Sequence, residues 1–185
     1  MKNLMKSMIV GLLVLIAMGA SAQYKLSNDL SAMYIDGTSS LHDWTETVEQ
    51  MGGTLNLSLD GNAIEKITSV NASIPVNSIK SGKGGMDDNT YEALKHKLHP
   101  NITYKLKSYA MKGDVVFFTG MLTIAGETRE VKFQSKYTME GNQLKFSGKH
   151  TFNMTDFKID PPTAMMGTIK TGDQVTVRFE MVFTK

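Results

Sequence analysis

Cysteine is absent from all 185 residues, which excludes a disulfide framework, a zinc knuckle, a thiol nucleophile and a lipid-modified N-terminal cysteine. An excess of one charge is also missing. Lys and Arg number 20 against 18 Asp and Glu, and with Lys2 and Lys6 of the N-terminal segment set aside the two signs balance, without a basic block. Such a surface has no footprint for nucleic acid. The sequence contains neither a Gly-x-Ser-x-Gly elbow nor a His-Glu-x-x-His motif, so the common nucleophile and zinc-hydrolase signatures are missing. Ser81-Gly82-Lys83-Gly84-Gly85 lacks the spacing of a phosphate loop and its hydroxyl after Lys, and reads as a flexible loop. The 14 methionines form no repeating tract of copper ligands. His96 and His99 stand three apart, a ligand spacing, but cationic side chains also suit a helix C-terminus. No catalytic residue, metal site or required cofactor is assigned.

What is present begins with an address. Residues 1–22 combine a basic start, an apolar run from Met8 to Met18, and Ala20-Ser21-Ala22 before Gln23, the pattern of a signal peptide cleaved after Ala22. The run is shorter than the roughly 20 residues a helix needs to span a bilayer. The expectation is an exported protein, periplasmic or secreted, with residues 23–185 as its single domain and no integral membrane span in the mature chain.

Nearly all of that domain alternates apolar and polar residues with period two, as strands with one buried face do. The strands read as Ala32–Ser39, Val48–Leu59, Ile64–Pro75, Asn101–Tyr109, Val115–Ile124, Thr128–Met139, Gln143–Asn153 and Val175–Phe183, with Tyr24 to Leu26 as an edge piece. Two-residue turns at Ala125-Gly126 and Gly141-Asn142 set registers that pair Phe118 with Phe133, Phe133 with His150 and Tyr137 with Phe146. Directly paired residues share a face. The Asn101 strand joins that face if Met111-Lys112-Gly113 is a three-residue loop, which turns Ser108 inward. Asp60-Gly61-Asn62 leaves two registers open, one with Lys66 inward, unless a bulge intervenes. The expected fold is all-β: an antiparallel closed barrel of about eight strands. One short amphipathic helix interrupts it. It starts near Asp87 with Asn89 as a cap, carries Tyr91, Leu94 and Leu98 as one stripe, and lies over a barrel end or flank. Outward Lys132, Gln134, Lys136, Lys145 and Lys149 argue against a membrane barrel, at ~2–4 kcal/mol for each Lys near the midplane.

The inward set gives the candidate cavity wall. It comprises Leu55, Leu57, Val70, Ala72 and Ile74, then Tyr104, Leu106, Val116, Phe118 and Leu122. Val131, Phe133, Tyr137, Phe146, His150 and Phe152 follow, and Val177, Phe179 and Met181 close the list. Interspersed small residues (Gly53, Ala72, Ser108, Gly120, Ser135 and Gly148) leave room for a slender ligand. If Phe118, Phe133 and Phe179 instead meet across the axis, the barrel is filled. Trp44 and the pair Met165-Met166 are candidates for the mouth. His42-Asp43-Trp44 reads as a structural corner rather than part of a triad. A buried His150 needs a hydrogen-bond partner: Tyr104, Ser135, a backbone carbonyl, or the head group of a ligand.

Several segments carry a resemblance in order and spacing. They are Gly37-Thr38-Ser39-Ser40-Leu41-His42-Asp43-Trp44, Ser73-Ile74-Pro75-Val76-Asn77-Ser78-Ile79, Leu98-His99-Pro100-Asn101-Ile102-Thr103-Tyr104, the stretch from Gly120 to Val131, and the end from Phe157 through Pro161-Pro162 and Gly167 to Val177. Together they resemble the YceI-like family over Tyr24 to Lys185. That resemblance implies an exported lipocalin-like barrel whose elongated apolar cavity holds a polyisoprenoid chain, in some members that of an isoprenoid quinone. Many members place Gly two residues after the Trp, where this chain has Glu46. The functional expectation is non-enzymatic binding, sequestration or transport of a prenyl lipid. The alternative is a filled-barrel structural or stress-related exported protein. A homodimer is left open.

Overall fold

The computed structural model describes residues 21–185. The leader expected over residues 1–22 lies outside them except for Ser21 and Ala22, and Ala22 opens the first strand. In chain order the elements are β1 (Ala22–Leu26), β2 (Ala32–Ser39), β3 (Trp44–Val48), β4 (Gly52–Asp60), β5 (Ala63–Pro75), β6 (Ile79–Lys80), α1 (Gly84–Ala93), β7 (Asn101–Lys112), β8 (Val115–Ile124), β9 (Glu127–Glu140), β10 (Gln143–Asn153), β11 (Thr163–Ala164) and β12 (Ile169–Thr184). Neighbours pair antiparallel in the order β1-β4-β5-β7-β8-β9-β10-β12, and β1 also pairs with β12, which closes a ring of eight strands.

The number of ring strands matches the sequence pattern, but the membership differs. β1, read as an edge piece, is the closing strand: Tyr24 faces Leu55 on one side and Leu26 faces Phe183 on the other. The stretch read as one strand from Val48 to Leu59 is two, β3 and β4. Between them the backbone turns off the ladder, with Glu49 N–H bonded to the Ser78 carbonyl and Met51 N–H to Asn28 Oδ1, each at 2.8 Å. β2 branches from the ring. β12 is 16 residues long, and its first part pairs with β2 while its last residues pair with β1. β3 and then β6 extend the β2 branch, so the wall is wider at that end.

Both inferred hairpins hold. Phe118 faces Phe133 across the Ala125-Gly126 turn, and Tyr137 faces Phe146 across the Gly141-Asn142 turn. The β9–β10 ladder ends at Ser135 and Gly148, so Phe133 meets His150 through their rings, 5.9 Å apart, and not as a ladder pair. The three-residue loop at Met111 is replaced. β7 runs to Lys112, which pairs with Val115, and a bulge between Leu106 and Ser108 restores the face. Tyr109 and Met111 therefore turn inward and Ser108 is exposed. At the Asp60 turn, Asp60 pairs with Ala63, and irregularities after Asn56 and Ser58 bring in Ile64 and Ile67 while leaving Lys66 exposed. A bulge costs one unpaired residue; an inward Lys costs its solvation.

The helix starts earlier than its cap pattern suggests. Gly84 and Gly85, read as part of a flexible loop, form its first turn, and the N-cap is Lys83 without a side-chain bond. Asp87 is buried and accepts the Ser81 amide (2.8 Å) and hydroxyl (2.5 Å) instead of capping. Lys95 takes a left-handed φ of 54° just past the end. That bend breaks the stripe: Leu94 packs inward, while Leu98 is exposed.

Packing is uneven along the ring. At the end bearing the turns at Gly61, Gly113 and Gly141, the core is solid: Leu57, Ile64, Ile67, Val116 and Leu144 are buried, with Leu106, Tyr109, Met111, Tyr137 and Met139 packed on them. Leu57 is fully buried, so Leu57→Ala is expected to cost about 2–5 kcal/mol in urea unfolding. Met166→Ser, at a fully exposed loop position, is expected to stay within about 0.5 kcal/mol. Equal effects would contradict this division.

Candidate functional site

The opposite half of the ring encloses a cavity of about 580 Å³, within the ~300–1,000 Å³ typical of small-molecule sites. Its floor is the top of the packed core: Leu55, Phe118, Phe146 and Phe183. Phe146 meets Phe118 at 5.8 Å and Phe183 at 6.1 Å between centroids, both edge to face. α1 covers the cavity, with Met86, Asn89, Thr90, Ala93 and Leu94 on its wall, and Leu94 links the two apolar clusters that flank it. The rim includes Leu41, His42 and Lys83, all exposed, together with Pro162 and Ala164.

Trp44 sits at this end. Its indole lies against Gly37, where a Cβ would come within 2.1 Å of the ring, and its Nε1 donates to the Thr38 carbonyl at 2.9 Å. The His42-Asp43-Trp44 segment is thus a corner: His42 Nδ1 lies 2.7 Å from the Asp43 carbonyl. Two glycines of the β8 and β10 strands are also covered by neighbouring rings. Tyr104 lies over Gly120, and Phe179 over Gly148. Small residues therefore seat aromatic rings in the wall, and the cavity extends along β2 and β3 through Met33, Ile35, Trp44, Glu46 and Val48.

Three polar groups stand out on the largely apolar wall. Glu46 is 2% exposed, and its Oε1 accepts the Thr90 hydroxyl at 2.6 Å, tying β3 to α1. Burial raises its pKa above the usual glutamate value, and the nearby Asp87 charge adds to the rise. His150 stacks on Phe152 at 5.6 Å, and burial lowers its pKa, so the ring is held neutral. Its Nε2 is buried without a partner, and so is Tyr104 Oη. The partners expected for His150 are not used: Ser135 Oγ donates to the Ser147 carbonyl at 2.9 Å, and Tyr104 remains unbonded. An unsatisfied buried polar group costs about 1–3 kcal/mol. Burial also pushes the Tyr104 phenol up to about 12, which leaves it a neutral donor.

Of the residues read as wall, Leu55, Val70, Ala72, Ile74, Tyr104 and Phe118 line the cavity, as do Leu122, Val131, Phe133, Phe146, His150 and Phe152, then Val177, Phe179 and Met181, with Trp44 at its end. Leu57, Leu106, Val116 and Tyr137 do not line it. They share the inward face but lie in the solid half, a distinction that period-two patterning does not carry. Met165 and Met166 do not line it either: they project from the β11–β12 loop, 73% and 108% exposed, while the loop's stem residues Ala164 and Ile169 face the cavity. Phe133 does meet Phe118 (5.4 Å) and Phe179 (5.8 Å), but along the run β8-β9-β10-β12, and the space remains. Sequence reasoning placed the helix over the barrel and Trp44 of β3 at the mouth, but left other side chains of β2, β3 and α1 out of the wall, among them Met33, Ile35, Val48 and Thr90. The period of β2 (Met33, Ile35) was the available signal. Among the described residues no group of three or more His, Asp or Glu side chains is placed to hold a metal ion, and no helix is long and apolar enough to cross a membrane.

A ring of eight antiparallel strands around a helix-covered apolar space defines a class of small closed antiparallel sheets. The chain belongs to the YceI-like domain family, which matches residues 24–183. No curated protein sequence matches it. Among solved structures, BcnA of Burkholderia cenocepacia shares the fold with a TM-score of 0.72 at 18% identity, covering 85% of this chain and 98% of that one. A polyisoprenoid binding domain from Saccharophagus degradans, implicated in plant cell wall breakdown, follows at 0.66 and 13%, covering 87% and 97%. A YceI protein of Campylobacter jejuni gives 0.62 and 17%, covering 76% and 84%.

Glu46 generates a prediction with a definite sign. Its folded pKa is raised, so its contribution to stability is fully present below the unfolded value of about 4.3 and is lost as pH rises through the folded value. Glu46→Gln keeps an acceptor for Thr90 and removes the ionisation. Denaturant unfolding is expected to show the variant gaining on the wild type as pH rises above about 4.3; a gap independent of pH would contradict the assignment.

Proposed function

We propose that the protein binds a polyisoprenoid or isoprenoid-quinone lipid in this cavity and sequesters or transports it without catalysing a reaction. The observation that carries the reading is the cavity itself: a ligand-sized space walled by aliphatic and aromatic side chains and covered by α1. Membership of the YceI-like family supports a lipid-binding role, and a fold neighbour described as a polyisoprenoid binding domain supports the prenyl class. Each buried CH2 of such a chain contributes about 0.8 kcal/mol, so length alone supplies affinity. In the same reading the leader directs export, and the protein shields an insoluble chain in the periplasm or outside the cell.

Protein purified from its native compartment is expected to release an apolar extract whose masses step by the isoprene unit. A repeatedly lipid-free preparation would contradict the proposal. Trp44, the single tryptophan, lines the cavity, so its emission is expected to change on titration with farnesol. Ala72→Phe, which fills the wall beside Tyr104, is expected to weaken that response at least about tenfold at a stability cost of about 1–3 kcal/mol.

A further inference from the structure

The wall of the cavity presents two buried hydrogen-bonding atoms that nothing among the described residues satisfies, Tyr104 Oη and His150 Nε2. Their side chains share one neighbour. Both rings pack on Phe133, at centroid separations of 5.5 Å for Tyr104 and 5.9 Å for His150, and all three side chains line the same space. They also lie inside, not at the rim: Tyr104 sits over Gly120 of β8, and His150 is three strands from Glu46 in one row of paired residues running through Val177 and Ile35. A folded chain does not ordinarily bury two such atoms together without a partner. The nearby hydroxyl of Ser135 is committed to a backbone carbonyl, and Glu46 to Thr90.

We propose that Tyr104 and His150 form a polar subsite beside Phe133 that receives a neutral oxygen, a hydroxyl or carbonyl, on the end of the bound lipid, so that the ligand enters polar end first. This rests on the lipid-binding reading above and narrows it: the preferred ligand carries an oxygen and is not a bare hydrocarbon. The atoms suit such a group. Tyr104 donates to the oxygen, and a hydroxyl in turn donates to His150 Nε2, while a carbonyl accepts from Nε2–H in the other tautomer. A charged head does not suit the subsite. Neither Tyr104 nor His150 supplies a cation, and burial holds the imidazole neutral. Removing either partner leaves an oxygen buried without its bond, the circumstance in which discrimination between a hydroxyl and its absence is largest.

The test compares farnesol with farnesene, which has the same carbon skeleton with a further double bond in place of the hydroxyl, on the full folded protein. Wild type is expected to prefer farnesol by about tenfold or more, and Tyr104→Phe and His150→Leu each to cut that ratio severalfold. Because either variant alters wall packing, a second measurement is made on the wild type: the ring nitrogen shift of His150 is expected to move on adding farnesol and not on adding farnesene. A crystal structure with farnesol is expected to place its oxygen within about 3.2 Å of Tyr104 Oη or His150 Nε2. Equal affinities for the two probes, or water alone on both atoms with the hydroxyl at the rim, overturn the subsite while apolar binding stands. Failure of both probes to bind overturns the subsite and the lipid-binding reading together.

Discussion

Everything in the molecule follows from how the ring is closed. β1 is only five residues long, yet it joins β4 to β12 and so leaves the eight-stranded sheet without an open edge along its packed half. It does so only at that end. Over the first part of β12 the neighbour is β2 instead, followed by β3 and β6. The wall is therefore tight where β1 stands and broader where β2 and β3 extend it. A tight ring of this size fills with its own side chains, and the lower half does. The broader half cannot be filled by the same inward residues, and α1 covers what is left.

The interior polar groups take their meaning from that division. In the solid half they are satisfied: Tyr137 and Tyr109 reach the backbone amides of Ile64 and Ile67 beside the two irregular pairings of β4 and β5. In the open half Glu46 holds the covering helix, and Tyr104 and His150 have only the cavity to turn to.

Much of the ring was legible in the sequence because alternation and turn chemistry are local. Phe118 opposite Phe133, and Tyr137 opposite Phe146, follow from the positions of Ala125-Gly126 and Gly141-Asn142. What local patterning does not carry is where a ladder slips or changes partner. The bulge after Leu106, the break at Glu49-Gln50-Met51 and the promotion of Tyr24–Leu26 to the closing strand are set by distant strands. The same limit applies to the site. Leu57 and Leu55 are equivalent by alternation, yet one is core and the other cavity floor, because depth along the axis is a tertiary property. Helix capping misled for a related reason: Asp87 had a better partner in Ser81, across the loop, than in its own first turn. Met165 and Met166 lie exposed on a loop where both take left-handed φ values, 52° and 55°, and composition gave no sign of it.

The claim at the centre of this account is that the β2–β3 end of the ring holds an apolar space its own side chains leave open. Xenon pressurisation of crystals of the delipidated protein tests it most directly, since dry apolar cavities take up the gas. The account predicts xenon bound between Phe118, Phe133 and Val177, above the Phe146 floor. Crystals that take up none, with those side chains interlocked across the ring, would contradict it.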